Sequence, residues 1–127
     1  CNLSQLPETS KRCGDNLNIY TGEDGNVFYP TVAGGLGVIS VMSNIAPKYM
    51  HDLVMEIKNG NIENGWKMQL GCLDLVKALF CEVNPIPVKT AMNIMGFEVG
   101  PVRLPLCEME DKNIQRLTKA LKDYGLI

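Results

Sequence analysis

The clearest pattern along the chain is a period of three to four residues in its second half. Over residues 47–58, Met50, Leu53, Val54 and Ile57 recur at helical spacing, and Asn59 and Gly60 supply the stop. A longer helix is predicted over 62–80 with Asn61 as its cap. Its apolar positions Ile62, Trp66, Leu70, Leu73, Val76, Leu79 and Phe80 follow the 3.6-residue period and are expected to face a core. Pro85 and Pro87 restart the chain as a helix carrying Val88, Ala91, Met92 and Met95, halted by Gly96. A last helix is predicted over about 111–124.

The first half is patterned differently. Its first thirteen residues predict a short helix, capped by Asn2 or Ser4, with Pro7 in the first turn and Glu8 near the positive end of the helix dipole; Gly14 and Asp15 end it. Residues 17–20 alternate apolar and polar and run into Thr21, Gly22, Glu23, Asp24 and Gly25, a strand followed by a turn. A helix is predicted over 26–33. Gly34, Gly35 and Gly37 then punctuate the entry to residues 38–41, a β-branched run with Ser40 alone polar, the pattern of a strand buried on both faces. The spacing of about 16 residues between these strands suits a right-handed parallel crossover, so the segment predicts one βαβ unit.

Two strands among about six helices is an awkward inventory. Two parallel strands make a poor sheet alone, and the 38–41 strand needs a neighbour on each side where this chain supplies one. Length sharpens the point. A 14.0 kDa chain of 127 residues buries about two thirds of its unfolded surface, enough for one compact domain, but a complete eight-stranded α/β barrel takes about 200 residues at minimum. Hydrophobic residues at 46%, charged residues at 20% and a net charge of −2 describe a globular chain with no basic patch for nucleic acid. The long uncharged run 27–47 is broken by glycines, prolines and polar residues, so no membrane span is expected.

Cysteines stand at Cys1, Cys13, Cys72, Cys81 and Cys107, an odd count with no C-x-x-C pair, beside a single histidine. A reduced, cytoplasmic chain is the simplest expectation, without zinc or disulfide. The chain begins at Cys1 with no signal-peptide pattern, so its start is expected to have been removed or to lie in a longer polypeptide. Gly34 to Gly37 do not form a G-x-G-x-x-G fingerprint, and no nucleotide site or other cofactor is expected.

From Leu17 onward the segments IYTGEDG, GGLGVISVMSNIAP, KALFCEVNPIPVK and GPVRLPL fall in a specific order. In this order the chain resembles the C-terminal portion of the dihydrodipicolinate synthase / N-acetylneuraminate lyase family, over essentially its whole length. The resemblance implies the C-terminal part of a (β/α)8 TIM barrel, about two parallel strands, plus a helical C-terminal extension: residues 1–46 as the last βα units, residues 47–127 as the last barrel helix and the extension. It further implies class I aldol chemistry through a lysine Schiff base with pyruvate. NPIPVK favours the synthase branch, which condenses pyruvate with aspartate semialdehyde in lysine and diaminopimelate biosynthesis; a neuraminate or keto-sugar acid lyase is the related alternative. In the family the Schiff-base lysine lies in a K-E-A segment that would directly precede Cys1, and the relay tyrosine lies upstream too. The chain is therefore expected to be inactive alone, with no catalytic residue of its own.

The resemblance places the main-chain carbonyl of Ile39 in the pyruvate pocket and the turn of Gly22, Glu23 and Asp24 beside the second substrate. On residue type alone, Ile39 reads as core packing, and the acidic turn as a solvated one whose charges favour the next helix. Glu23 departs from the G-D-D or G-N-D common in the family, which argues against a contact through its longer side chain. Ser40 and Asn44 lie near the same mouth and are read as loop supports. Lys89 in NPIPVK has the look of an amine nucleophile beside apolar residues, but its place early in a helix favours a packed stem and a surface partner. His51 and Asp52 are neighbours on a helix, a geometry not expected to bring their side chains together. The seven methionines are read as adaptable core packing.

Exposed strand edges and apolar faces predict association, either with itself or with the missing N-terminal half-barrel. A reading from another class is a non-catalytic assembly unit, in which residues 47–127 fold as a helical bundle without any barrel.

Overall fold

The computed structural model describes residues 3–127; Asn2, named above as a cap, and Cys1 lie outside them. Helices α1 (Gln5–Cys13), α2 (Phe28–Val32), α3 (Pro47–Lys58), α4 (Ile62–Leu79), α5 (Ile86–Ile94) and α6 (Asp111–Asp123) accompany two short strands, β1 (Tyr20–Thr21) and β2 (Gly37–Val38). The strands pair in parallel, Tyr20 opposite Gly37 and Thr21 opposite Val38, with α2 in the connection between them. The chain divides into two compact units. One comprises residues 3–40 and Lys48–Gly71, the other Val41–Pro47 and Cys72–Ile127.

In the first unit, α1 starts after Ser4, which has helical dihedrals (φ −70°, ψ −20°) and makes no capping bond. Both strands are shorter than the pattern predicts. β1 begins at Tyr20, the last residue of the expected strand, and β2 ends at Val38. The strand expected over 38–41 to be buried on both faces is not: Ile39 is 72% exposed, and Val38, Ser40 and Val41 are half-buried. Among the described residues the two strands pair only with each other, so each keeps one unpaired edge. The helix expected over 26–33 is confined to Phe28–Val32, because Asp24–Asn26 forms a 3-10 turn first. Gly35 is required where α2 turns back to β2: a Cβ there would meet the Pro30 carbonyl oxygen at 2.6 Å, the same oxygen that accepts the Gly35 N–H at 2.8 Å.

α3 follows its predicted bounds, burying Met50, Leu53 and Ile57, and Gly60 at φ +85° carries the chain out. α4 matches its predicted extent to one residue but not its predicted face. Ile62, Trp66 and Leu70 are exposed, and the residues buried on its first half are Gly65 and Gln69. Trp66 meets the Phe28 ring edge-on at 5.0 Å and lies beside Tyr29 at 5.9 Å. The helix is therefore apolar on more than one side.

In the second unit the predicted stripe of α4 holds only in part: Val76 and Leu79 are buried, Leu73 is half-buried, Phe80 is exposed, and Leu75, outside the stripe, is buried. Leu75, Leu79, Leu117 and Leu121 are all buried, and α5 packs against α6, with Val88 and Ala91 buried on the one and Leu117 and Leu121 on the other. Glu82 ties the entry to α6, its Oε1 accepting from the Glu110 N–H at 3.0 Å and from Asn113 Nδ2 at 2.7 Å. Among the methionines Met42, Met50 and Met109 are buried, whereas Met55 is exposed. None of the described helices is long and apolar enough to cross a membrane, and among the described residues Cys13, Cys72, Cys81 and Cys107 form no disulfide.

Candidate functional site

Parallel strands bring their carboxyl ends to the same side, and here that side holds Gly22, Glu23 and Asp24 after β1 and Ile39 and Ser40 after β2. The two segments are joined directly. The Ile39 N–H donates to the Thr21 carbonyl at 2.8 Å, fixing the Ile39 peptide against the last residue of β1. Gly22 follows at once, with nothing within 4 Å of where a Cβ would sit. A cleft of about 230 Å³, lined by Leu6, Tyr20, Thr21, Gly22 and Pro30 among others, opens beside it.

The turn itself is ordered by its own polar groups. The Glu23 N–H donates to Thr21 Oγ1 at 3.3 Å, and its carbonyl accepts from the Asn26 N–H at 3.0 Å. Glu23 is exposed, whereas Asp24 is only 1% exposed and accepts a hydrogen bond from the Ser40 hydroxyl. Ser40 thus acts as the expected support. Asn44 does the same for its own loop, donating to the Val41 carbonyl at 2.9 Å.

A residue that sequence reasoning passed over lies beneath this turn. Gln69, 3% exposed on α4, accepts from the N–H groups of Val27 (2.8 Å) and Phe28 (3.0 Å) with Oε1 and donates from Nε2 to the Asp24 carbonyl (3.1 Å). The available signal was indirect: α2 starts at Val27 and Phe28 with no local capping side chain, so its first N–H groups needed a partner from elsewhere.

The other candidates stand apart. Lys89 donates from Nζ to the Pro101 carbonyl at 2.6 Å, a surface latch between α5 and the following loop. His51 does reach its neighbour, with Nδ1 at 3.2 Å from Asp52 Oδ1, contrary to expectation. Both side chains lie at the exposed surface of the helix. The Lys48 ammonium, and then His51, hold the Asp52 carboxyl below the usual carboxylate range.

The matched family is the dihydrodipicolinate synthetase family, over residues 1–124, and the chain belongs to it. The chain is 52% identical along its whole length to 4-hydroxy-tetrahydrodipicolinate synthase of Acetivibrio thermocellus, and 48% identical over 98% of its length to that of Clostridium novyi. It covers 44% and 42% of those two proteins, so it spans less than half the length of these curated relatives, corresponding to their C-terminal portion. Among solved structures it resembles dihydrodipicolinate synthase of Thermotoga maritima (40% identity, TM-score 0.93, 99% of this chain and 44% of that one). It also resembles that of Aquifex aeolicus (35% identity, TM-score 0.95, 98% and 43%). The two strands and six helices are the C-terminal part of that TIM-barrel fold with its helical extension.

Proposed function

We propose that this chain is the C-terminal share of a Schiff-base lyase that condenses pyruvate with aspartate semialdehyde, the reaction of a 4-hydroxy-tetrahydrodipicolinate synthase in lysine and diaminopimelate biosynthesis. The observation that carries this reading is the joining of Ile39 to the Gly22 turn at the carboxyl ends of two parallel strands, the side on which barrel enzymes build active sites. In this reading residues 1–46 are the last βα units, and residues 47–127 the last barrel helix and the extension.

The chemistry assigns roles accordingly. A lysine amine adds to the ketone carbon of pyruvate and water leaves, giving a protonated imine. Loss of a methyl proton gives the enamine, whose carbon attacks the aldehyde. A fixed main-chain acceptor such as the Ile39 carbonyl orients the keto acid or the imine N–H without reorganising. Gly22, Glu23 and Asp24 border the aldehyde. No K-E-A segment occurs in the 127 residues, so the amine comes from another stretch of polypeptide and the chain alone forms no imine. Its partners are then pyruvate, aspartate semialdehyde and an N-terminal half-barrel, with self-association when that half is lacking; the chemistry calls for no cofactor, and the setting is the cytoplasm.

The test is a hybrid of the Acetivibrio thermocellus synthase in which this chain replaces the corresponding C-terminal portion. After pyruvate and borohydride, intact mass is expected to show the reduced adduct on the hybrid and none on the 127-residue chain. The hybrid is expected to turn over aspartate semialdehyde in preference to N-acetylneuraminate. An adduct on the chain alone, or a hybrid silent toward aspartate semialdehyde, overturns the reading.

A further inference from the structure

We propose that Gln69 is a positioning residue for the aldehyde side of the site, holding the turn of Gly22, Glu23 and Asp24 at its working height through three hydrogen bonds to main chain. The inference rests on the reading above for what the turn does, and on the geometry alone for how it is held.

Three observations carry it. Gln69 lies on α4, 41 to 45 residues from its partners, so its bonds are tertiary rather than local. Its side chain is 3% exposed, so water does not substitute for a lost bond. The partners bracket the end of the turn: the Asp24 carbonyl on one side, and the N–H groups of Val27 and Phe28 on the other. One planar group that accepts twice and donates once at the same place is a carboxamide. A carboxylate keeps the two acceptor bonds and loses the donor, while a thioether of similar length loses all three. The amide orientation follows from this network, because the opposite assignment would set Nε2 against two N–H groups.

The bonds reach the site in one step. Asp24 is the residue that accepts the Ser40 hydroxyl and follows directly on Glu23 and Gly22. A shift of the Asp24 carbonyl therefore moves the turn directly, while the Ile39 N–H keeps its own bond to the Thr21 carbonyl. Gln69 touches no substrate in this arrangement, and its effect falls first on the turn beside the second substrate, one bond nearer than the Ser40 link toward Ile39.

The experiment uses Gln69→Met and Gln69→Glu in the hybrid enzyme, with steady-state kinetics in each substrate. Both variants are expected to raise KM for aspartate semialdehyde about two- to tenfold, the range for one buried hydrogen bond. KM for pyruvate is expected to stay within about twofold. In the isolated chain, amide exchange at Val27 and Phe28 should accelerate in Gln69→Met but stay protected in Gln69→Glu, while the Gly22 and Glu23 amide resonances shift in both. An unchanged aldehyde KM in both variants overturns the inference. So does an equal rise in both KM values with a lowered melting temperature, the mark of a purely structural role. If the hybrid is silent with Gln69 in place, the proposed reaction fails instead. Unmoved Gly22 and Glu23 resonances in the isolated chain then overturn the positioning role on its own terms.

Discussion

The hydroxyl of Ser40 donates a hydrogen bond to the carboxylate of Asp24, tying the residue after Ile39 to the turn after β1. This part-buried polar pair joins the two segments proposed to border the two substrates, beside the bond from the Ile39 N–H to the Thr21 carbonyl. Asp24 is 1% exposed, so the bond lies where water competes little. Ser40→Ala is expected to destabilise the chain by about 1–3 kcal/mol. In a double-mutant cycle with Asp24→Asn, the coupling energy is expected to exceed about 1 kcal/mol, read from urea unfolding midpoints at constant slope. Additive effects would show that the contact contributes nothing to the fold.

How far the sequence carried depended on whether a feature was set locally. α3 and the α5–α6 pair were legible because proline, glycine and a single apolar stripe fix them within one turn of the residues concerned. The parallel strand pair was legible from the crossover spacing. The buried face of α4 was not. That helix carries apolar residues on two sides, and a 3.6 period cannot say which side meets the core when Ile62, Trp66 and Leu70 compete with Cys72, Leu75 and Leu79. Gln69 stayed hidden for a related reason: its partners are main-chain groups more than 40 residues away, which leave no mark in composition or spacing. The proposed substrate contacts rest on family resemblance, since a main-chain carbonyl such as that of Ile39 has no residue-type signature.

The exposed strand ends bear on association. Ile39 is 72% exposed, Tyr20 51% and Leu17 48%, around a sheet of two strands with both outer edges unpaired. Such an edge is a template for further pairing. The isolated chain is expected to self-associate in sedimentation velocity. Leu17→Lys with Tyr20→Lys should shift it toward monomer without changing its far-ultraviolet circular dichroism. A monomeric wild-type chain at every concentration tested would show that these apolar edges are tolerated in water.

Gly65 marks a close approach of α4 to α3. A Cβ at this position would lie 2.5 Å from Ile57 Cγ1, on a β-branched side chain with little rotamer freedom. Two effects oppose one another: alanine favours a helix interior by about 1 kcal/mol over glycine, while overpacking costs about 1–3 kcal/mol. The clash is expected to win, with Gly65→Ala destabilising by about 1 kcal/mol net. Ile57→Ala removes the clashing atom, so it should cost less in the Gly65→Ala background than alone. Equal costs in both backgrounds would mean that the helices separate at no expense.

Cys81 and Cys107 are expected to separate by reactivity. Burial pushes the Cys81 thiol above its ordinary value; the Arg116 guanidinium pulls it partly back, and the Glu82 carboxylate adds a smaller upward push. Cys107 is exposed. Since the thiolate is the nucleophile, iodoacetamide at neutral pH should label Cys107 first, followed by peptide mapping to rank the sites. Raising the pH should narrow the gap as Cys81 ionises. The sign for stability follows: a thiol whose folded pKa lies above its unfolded one stabilises the fold fully below the unfolded value and loses that contribution as pH rises through the folded one. Arg116→Gln removes the one favourable charge and should slow Cys81 labelling by about twofold, the scale of a solvent-screened pair. Acceleration in Arg116→Gln would show that access rather than ionisation governs this thiol, and labelling of Cys81 ahead of Cys107 would show that burial does not slow it.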